Sequence, residues 1–489
     1  MELSGKKVLV VGLGKSGEAT ALFLGKKGAL VRLTEAGDNP ALREKKKSLE
    51  STGIEVELGQ HSETFLGDIE LVVPSPGVTP ESFPVRFALK NRIPVWSEIE
   101  LAYRFCPAPI LAITGTNGKS TAVTLLYDIL KTAGKKVILA GNIGTPFISV
   151  VEDLAQTEAV VLEVSSFQLE WIVEFRAKVA VLLNVTADHL DRYPDFDSYL
   201  SAKKRIFENQ TPEDFAVINY DDPVSRSLAT GIKARTFFYT RTNPIPVKPN
   251  KSYKCRGRIY PTRGLDESSP YSLGLTGGIN SCGFKQFFCT DDKTIFLPSG
   301  EELLTIPKSR LWGIHNQENI LSVCAAAHCF GARPPAMVEA IKKFQPLNHR
   351  MELVAEKSGI RYVDDSKATN VDSTLRALQS FPESKTKRLI LILGGKDKGG
   401  SYLPLKPALK KRVKALILLG EATDRIKKEL AGSSDIKEVS SLPEGVLLAH
   451  SLAVSGDTVL LSPACSSFDM FESYAERGNI FKKAVASLP

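Results

Sequence analysis

ITGTNGKSTAV, residues 113–123, predicts a strand, a glycine-rich turn and a helix in direct succession. The apolar run PILAIT leads into it, and apolar residues recur behind it at the spacing of one helix face. The turn GTNGKS has the pattern GxxGKS, which is shorter than the usual GxxxxGKS of phosphate-binding loops. Unpaired N–H groups at such a strand-to-helix turn face anions. The stretch therefore predicts a phosphate-binding loop, in which Lys119 neutralises phosphate oxygens and Ser120 binds Mg²⁺.

Short β-rich runs alternate with amphipathic helical stretches along most of the chain. This alternation predicts an α/β fold built on parallel sheets. We divide the chain into three blocks, residues 1–98, 99–346 and 347–489, of which the second contains the phosphate-binding loop. Within that second block, residues 241–300 are rich in Pro, Gly and Ser and have weak periodicity, which indicates an insertion.

The bulk composition is that of an ordinary globular enzyme. At 489 residues the chain is too long for one hydrophobic core, and 43% of its residues are hydrophobic and 24% charged. No apolar run reaches the length of a membrane span, and MELSGKKVLVVGLG leads straight into a strand. We therefore expect a cytoplasmic protein without a membrane partner.

Cysteines and charge exclude further classes. The seven cysteines show no CxxC spacing, so neither a disulfide framework nor a zinc site is expected. The net charge of +8 suits anionic ligands. Residues 241–263 hold seven Lys or Arg and no acid, but their Pro and Tyr content favours a solvated surface over a nucleic-acid patch. No nucleic-acid partner is expected.

A second glycine pattern lies near the start, in VVGLGKSGEA. Gly12, Gly14 and Gly17 have the GxGxxG spacing after a predicted strand, and Glu35 ends the next strand. A diphosphate at the helix N-terminus would explain the pattern, and so would NAD in an oxidoreductase. A tight strand-to-helix turn without any ligand is the third interpretation, and the pattern alone leaves all three open.

Polar residues also follow the strands of the second block. AVVLE ends in Glu163, and VAVLLNV leads to Asp188 and His189. Parallel strands bind ligands at their carboxyl ends, so Ser120, Glu163 and His189 are expected to converge on one sheet edge. Their oxygen and imidazole donors suit a metal site for Mg²⁺. A single Glu after a strand is more often a surface residue or a cap.

Two further groups are less clear from residue chemistry. SAKKRIFEN places Lys203 and Lys204 on a helix, where a solvated basic face is the ordinary interpretation. In the third block, polar residues again follow strand ends and together predict a second pocket with positive charge for an acidic co-substrate. These residues are Asp365, Lys367, Lys398 and Ser467.

Taken together, the motifs resemble those of the Mur ligases. They occur in the order GTNGKST, GNIGTP, LEVSSFQLE, NVTADHLDRY, HNQEN, NHRME, DDSKATN, LILGGKDKG and LLSPACSSFDMFESYAERG. The resemblance spans most of the chain and thins at residues 241–300. It implies an α/β fold with three domains: an N-terminal Rossmann-like domain, a central P-loop-type ATPase domain with a parallel sheet, and a C-terminal Rossmann-like domain.

The resemblance also implies an activity. The N-terminal domain would hold UDP-N-acetylmuramoyl-L-alanine, the central domain ATP, and the C-terminal domain D-glutamate. ATP would activate the carboxylate as an acyl phosphate, and amide formation would follow in peptidoglycan precursor synthesis. Two Mg²⁺ ions and a carbamylated Lys203 are implied as cofactors. No interface pattern is visible, so we expect a monomer.

Site residues carry over by their places in the matched motifs. The catalytic residues implied are Lys119, His189 and Lys203. The metal ligands implied are Ser120, Glu163, His189 and carbamylated Lys203. The ATP-binding residues implied are Gly115, Thr116, Asn117, Gly118, Lys119, Ser120, Thr121, Asn316, Asn319, Arg350, Asp365 and Lys367. The UDP-sugar-binding residues implied are Gly14, Lys15, Ser16, Glu35, Gly77 and Asn142. The amino-acid-binding residues implied are Thr369, Lys398, Ser467 and Phe468.

The sequence departs from the family pattern at two places. Phe468 and Tyr474 stand where Leu and Phe are expected in the amino-acid pocket, and Lys15 and Ser16 replace a common Leu-Thr in the uracil-binding turn. Three alternatives therefore stay open. They are a related ligase that adds another amino acid, an NAD-dependent oxidoreductase, and a non-catalytic nucleotide- or polyanion-binding module. DDSKATN and SPACSSFD favour D-glutamate.

Overall fold

The computed structural model describes residues 2–189, 192–241, 287–290, 294–296, 302–305, 311, 313–383 and 386–489. These residues form three sheets of four, nine and six strands in chain order. Most of the predicted insertion at 241–300 lies outside the described residues.

The first sheet is wholly parallel, with the order β3-β2-β1-β4. Its strands are β1 (Lys7–Val11), β2 (Leu30–Glu35), β3 (Glu55–Leu58) and β4 (Leu71–Pro74). The helices of this part are α1 (Lys15–Lys26), α2 (Pro40–Glu50), α3 (Glu63–Leu66), α4 (Phe83–Lys90) and α5 (Glu98–Tyr103). The four residues after Lys7 in β1 are all buried, as expected for a parallel strand covered on both faces.

The second sheet has the order β13-β12-β11-β10-β9-β8-β5-β7-β6. It is parallel from β6 to β11, and β12 and β13 are antiparallel to their neighbours. Its strands are β5 (Ile110–Thr114), β6 (Val137–Gly141), β7 (Ala159–Glu163), β8 (Val179–Leu182), β9 (Phe215–Asn219), β10 (Arg235–Thr240), β11 (Phe287–Thr290), β12 (Thr294–Phe296) and β13 (Glu302–Thr305).

The helices of the second part are α6 (Lys119–Thr132), α7 (Ser166–Leu169), α8 (Phe196–Lys204), α9 (Pro223–Ser227), α10 (Ile314–Cys329) and α11 (Pro334–Lys343). Helix α6 follows the predicted phosphate-binding loop and buries Val123, Leu126 and Leu130 completely. They share one hydrophobic cluster with residues of β5, α10 and α11. This burial fixes the start of α6 against the carboxyl end of β5, because a helix packed along its length cannot shift without opening the core.

The third sheet has the order β14-β15-β19-β16-β17-β18, with β14 antiparallel to β15 and the other pairs parallel. Its strands are β14 (Glu352–Lys357), β15 (Ile360–Asp364), β16 (Leu389–Gly394), β17 (Val413–Leu419), β18 (Asp435–Glu438) and β19 (Thr458–Leu461). Its helices are α12 (Val371–Gln379), α13 (Lys406–Arg412), α14 (Thr423–Leu430), α15 (Leu442–Leu452) and α16 (Tyr474–Ala486).

These three largely parallel sheets confirm the predicted fold class. The boundaries at residues 98/99 and 346/347 stay a prediction. Among the described helices, none combines the length and the apolar character needed to cross a membrane.

A buried carboxyl group lies where the first part of the chain meets the second. Glu98 begins α5, and its side chain is almost fully buried. One oxygen accepts the N–H of Ile148 at 2.6 Å, while Oε2 has no hydrogen-bond partner among the described residues. Burial raises the pKa of Glu98 from 4.5 to about 7, and the hydrogen bonds to its carboxylate only partly oppose this.

We predict that the stability of the protein falls as Glu98 ionises. Because its pKa is higher in the folded chain, the folded state binds the proton more tightly, so stability decreases as pH rises from 4.5 to about 7. Above the pKa that Glu98 has in the folded chain, its ionisation should lower the free energy of unfolding by the full amount, about 3 kcal/mol. The Tm of Glu98→Gln minus the Tm of the wild type should therefore be larger at pH 8 than at pH 5. A Tm difference that is the same at both pH values would contradict the prediction.

Candidate functional site

A cleft of about 280 Å³ lies between the second and third parts of the chain. It is lined by the turn after β5, the ends of β6 and β7, the start of α10 and the segment that precedes α12. The predicted site residues that line it are Thr116, Asn117, Gly118, Lys119, Ser120, Thr121, Asn142, Glu163, His189, Asn316, Asn319, Arg350, Asp365, Lys367, Thr369 and Lys398. Residues from all three predicted groups around ATP, metal and amino acid thus share one cleft.

The phosphate-binding loop depends on its glycines. Gly115 and Gly118 have φ angles of 155° and 89°, which L-residues rarely adopt. A Cβ on Gly118 would also lie 2.4 Å from Oδ1 of Asn319, so a side chain there would force Asn319 to move. Helix α6 starts directly afterwards, and Gly118 at its N-cap offers no side-chain hydrogen bond. The first-turn N–H groups of α6 are therefore suited to bind an anion.

Two lysines meet beneath this loop. Lys119 Nζ donates to the carbonyl oxygens of Gly115 and Thr116, each at 2.9 Å, and Lys203 Nζ donates to the same Gly115 oxygen at 2.9 Å. Burial lowers the pKa of both amines, for Lys203 well below its ordinary value, and the charge of Lys119 lowers that of Lys203 further. The solvated-face interpretation is therefore wrong for Lys203, which is 1% exposed, whereas Lys204 is exposed.

The oxygen donors of the cleft are suited to a divalent cation. Asn142 Nδ2 donates to Glu163 Oε1 at 2.8 Å, while the buried Glu163 Oε2 has no hydrogen-bond partner among the described residues. Ser120 Oγ accepts a hydrogen bond from Arg350 Nη2 at 2.8 Å and keeps acceptor capacity. A buried carboxylate oxygen and a hydroxyl group are donors that Mg²⁺ prefers. The residues present therefore fit Mg²⁺.

His189 faces the same cleft from a strained backbone position, with φ of 56°. Its ring packs edge-on against Phe167, with the ring centroids 4.8 Å apart. Burial lowers the pKa of His189, although Asp188 opposes the shift, so the imidazole is neutral near pH 7 and can act as a metal ligand. Asp188 itself lies 3.6 Å from Lys398 Nζ.

The third part of the chain contributes an acid and two cations. Burial raises the pKa of Asp365 to about 7, and Ser462 Oγ donates to its Oδ2 at 2.8 Å. Burial and the nearby Arg350 lower the pKa of Lys367 to about 8, and its Nζ lies 3.7 Å from the centroid of the Tyr474 ring. This arrangement places positive charge opposite the phosphate-binding loop.

Of the residues predicted for ATP, metal and amino-acid binding, four lie outside the set that lines the cleft, namely Gly115, Lys203, Ser467 and Phe468. Gly115 contributes the carbonyl shared by the two lysines, and Ser467 is buried. Phe468 is 70% exposed. Asn316 and Asn319, both predicted to bind ATP, are hydrogen-bonded to each other, because Asn319 Nδ2 donates to Asn316 Oδ1 at 3.4 Å.

The predicted UDP-sugar residues other than Asn142 belong to the first part. Gly14 is the N-cap of α1, which begins at Lys15 and Ser16, so this glycine turn opens a helix as the GxGxxG pattern predicts. Glu35 accepts the N–H groups of Leu13 at 2.8 Å and Gly37 at 2.9 Å. Glu35 thereby fixes the turn. Gly77 lies in the loop after β4, and a Cβ there would meet no atom within 4 Å.

Other cleft residues were not singled out from the sequence as site residues. The N–H of Asn117 donates to Asn184 Oδ1 at 2.9 Å, so Asn184 holds the phosphate-binding loop from behind. Its place at the end of the run VAVLLN was the available signal. The other polar residues at the cleft that the sequence analysis did not name are His315, Glu318, Asn370, Ser373 and Arg376.

Family models match the chain over three segments. Residues 6–97 match the Mur ligase MurD-like N-terminal domain, residues 113–327 the Mur ligase middle domain, and residues 349–465 the Mur ligase glutamate ligase domain.

Curated relatives match over the whole length. A UDP-N-acetylmuramoylalanine--D-glutamate ligase of Geotalea daltonii is 44% identical over 100% of this chain and 99% of its own. The protein of the same name from Trichlorobacter lovleyi is 42% identical over 100% of both chains. Among solved structures, a pseudomurein peptide ligase type C from Methanothermus fervidus covers 99% of this chain and 100% of its own, with a TM-score of 0.58 and 20% identity. The UDP-N-acetylmuramate-alanine ligase of Thermotoga maritima covers 98% and 99%, with a TM-score of 0.56 and 19% identity. These two structures support the fold alone.

Proposed function

The chain belongs to the Mur ligase family, and from this premise we propose that it is the ATP-dependent ligase that adds D-glutamate to UDP-N-acetylmuramoyl-L-alanine. The observation that carries the proposal is the single cleft in which the phosphate-binding loop faces the cations of the third part. An oxidoreductase would leave this cleft unexplained. A simple nucleotide-binding module would not need a second set of charged residues opposite the loop.

The reaction that fits this arrangement has two steps. A carboxylate oxygen of UDP-N-acetylmuramoyl-L-alanine attacks the γ-phosphorus of ATP, and ADP leaves with formation of an acyl phosphate. The amine of D-glutamate then attacks the acyl carbon and loses a proton, and inorganic phosphate leaves as the amide forms. Phosphorylation is needed because an ionised carboxylate would otherwise have to expel oxide.

The chain's contribution is to position the reactants and to neutralise charge. We assign the β- and γ-phosphates to Lys119 and the N–H groups at the start of α6, with Arg350 and Lys367 facing them from the third part. Asn316 and Asn319 take the adenine, and Asp365 contributes to the ATP site. Enclosure of the acyl phosphate between the second and third parts of the chain would limit its hydrolysis by water.

We propose that Ser120, Glu163, His189 and a carbamylated Lys203 hold two Mg²⁺ ions, which when bound supply charge neutralisation at the phosphates. The orphaned Glu163 oxygen and the neutral His189 support this assignment. Lys203 supports it because a sheltered amine with a lowered pKa is a nucleophile that can add CO₂.

The remaining assignments follow the three parts of the chain. We propose that residues 1–98 bind the UDP-sugar through Gly14, Lys15, Ser16, Glu35 and Gly77, with Asn142 contributed by residues 99–346. Residues 347–489 would bind D-glutamate through Thr369, Lys398, Ser467 and Phe468. We further propose a monomer in the cytoplasm, where ATP and the sugar nucleotide are available, without membrane or nucleic-acid partners.

Phosphate release provides the test of this function. With ATP, Mg²⁺ and UDP-N-acetylmuramoyl-L-alanine, we expect rapid release with D-glutamate and none above background with L-glutamate, L-alanine or a diamino acid. Mass spectrometry should show the amide product. Phosphate release with a different amino acid would mean that the chain is another ligase of the family. No phosphate release from folded protein with any amino acid would contradict the proposal.

A further inference from the structure

Asn117, in the middle of the phosphate-binding loop, forms side-chain hydrogen bonds with the third part of the chain. Its Nδ2 donates to Asp372 Oδ2 at 2.7 Å, and its Oδ1 accepts from Ser373 Oγ at 2.6 Å. Asn370 Nδ2 lies 3.4 Å from the same Oδ1. All three partners belong to the N-cap or first turn of α12. Both polar atoms of the amide are therefore committed to α12.

The backbone of Asn117 is committed on the opposite side. Its N–H donates to Asn184 Oδ1 at 2.9 Å, and its carbonyl accepts from Asn184 Nδ2 at 3.1 Å. Asn184 follows β8 in the core of the second sheet and is buried. Asn117 thus connects that sheet to α12, through backbone hydrogen bonds on one side and side-chain hydrogen bonds on the other.

Charged groups extend the same contact. Arg376 Nε donates to Asp372 Oδ2 at 2.9 Å, and Arg376 Nη1 donates to Glu318 Oε2 at 2.9 Å. Glu318 belongs to α10, next to Asn319, which packs against Gly118 of the loop. Asn370 also donates to Asp188 at 2.9 Å. Arg376 and Glu318 form a partly sheltered ion pair, because their side chains are 22% and 10% exposed, respectively.

The residues immediately before α12 are those assigned above to ATP and D-glutamate. Lys367 and Thr369 lie only a few positions before Asn370, the cap of α12. A shift of the first turn of α12 would therefore move both. Since that turn is bonded to Asn117, the conformation of the phosphate-binding loop and the placement of Lys367 and Thr369 are mechanically linked.

We propose that Asn117 is a positioning residue that couples nucleotide binding at the loop to the completion of the D-glutamate site through α12. The proposal rests on the function proposed above for the D-glutamate site, but its central coupling requires only that the loop binds ATP. Asn117 acts on D-glutamate through α12 and not by contact.

Hydrogen exchange tests the coupling without turnover. In the full-length protein, a non-hydrolysable ATP analogue with Mg²⁺ should slow amide exchange of residues 370–379 about tenfold, a coupling in the usual range for linked sites. Asn117→Ala and Ser373→Ala should lose this slowing. Gln379→Ala, an exposed change at the far end of the same helix, should keep it. No slowing in the wild type, or slowing that persists in both variants, overturns the proposal.

Kinetics give the second test. Asn117→Ala and Ser373→Ala should each raise KM for D-glutamate about tenfold and leave KM for UDP-N-acetylmuramoyl-L-alanine within about twofold. Because both changes break the same hydrogen bond, the double variant should be little worse than either single one. The proposal would be overturned if the two single effects on KM multiplied in the double variant, or if the KM of every substrate rose equally. If wild-type protein ignores D-glutamate, the proposed function fails while the exchange result still decides the coupling.

Discussion

Replacing Lys119 by methionine is expected to lower kcat about a thousandfold, the scale on which single phosphate-stabilising groups act. The methionine keeps most of the length of the side chain but removes the only charge that the loop itself carries. In the structure Lys119 Nζ lies against the Gly115 and Thr116 carbonyls, so the ammonium stands at the turn where phosphate oxygens would bind. Charge develops on those oxygens during transfer, and a fixed cation stabilises it.

The control for Lys119→Met is Lys131→Met, an exposed lysine near the end of the same helix. It removes the same charge from α6 at a distance from the cleft and should leave kcat within about twofold, as surface changes usually do. Single-turnover measurement of ADP formation would place the loss at phosphoryl transfer. A kcat of Lys119→Met within about tenfold of the wild type would refute the assigned role.

The phosphate-binding loop and the polar residues near strand ends could be predicted from the sequence, because each depends on a pattern of only a few neighbouring residues. Gly115 and Gly118 mark a backbone conformation that other residues rarely adopt. Glu163 ends the apolar strand β7, and His189 lies shortly after the apolar strand β8. The fold class followed from the same alternation of strands and helices. It did not depend on any long-range contact.

Long-range contacts decided what the residue patterns alone missed. Asn117 and Asp372 lie 255 positions apart, so no spacing rule could place their hydrogen bond. Lys203 and Lys204 are adjacent in a basic helix, and only the packing of α8 under the loop buries one and exposes the other. The family resemblance, and not residue chemistry, separated these two lysines before the structure did.

Lys203 is the second residue whose replacement should strongly reduce activity. Lys203→Ala is expected to lower kcat about a hundredfold, the upper range for groups that orient a metal site. The reason is chemical as well as geometric. Burial lowers the pKa of Lys203 well below its ordinary value, so the neutral amine, which is the form that attacks CO₂, is more accessible than in an exposed lysine. Addition of CO₂ to this neutral amine gives a carbamate anion and releases one proton.

If Lys203 carries a carbamate, activity should depend on dissolved CO₂. Enzyme kept in CO₂-free buffer should lose activity and regain it with bicarbonate, and protein equilibrated with ¹³C-bicarbonate should show a carbamate resonance by NMR. Lys204→Ala, next along α8 but exposed, should keep both properties. Lys203→Ala should lack the resonance. A wild-type protein that shows no carbamate signal and is indifferent to CO₂ would mean that Lys203 acts as a buried amine, hydrogen-bonded to Gly115, and not as a metal-positioning anion.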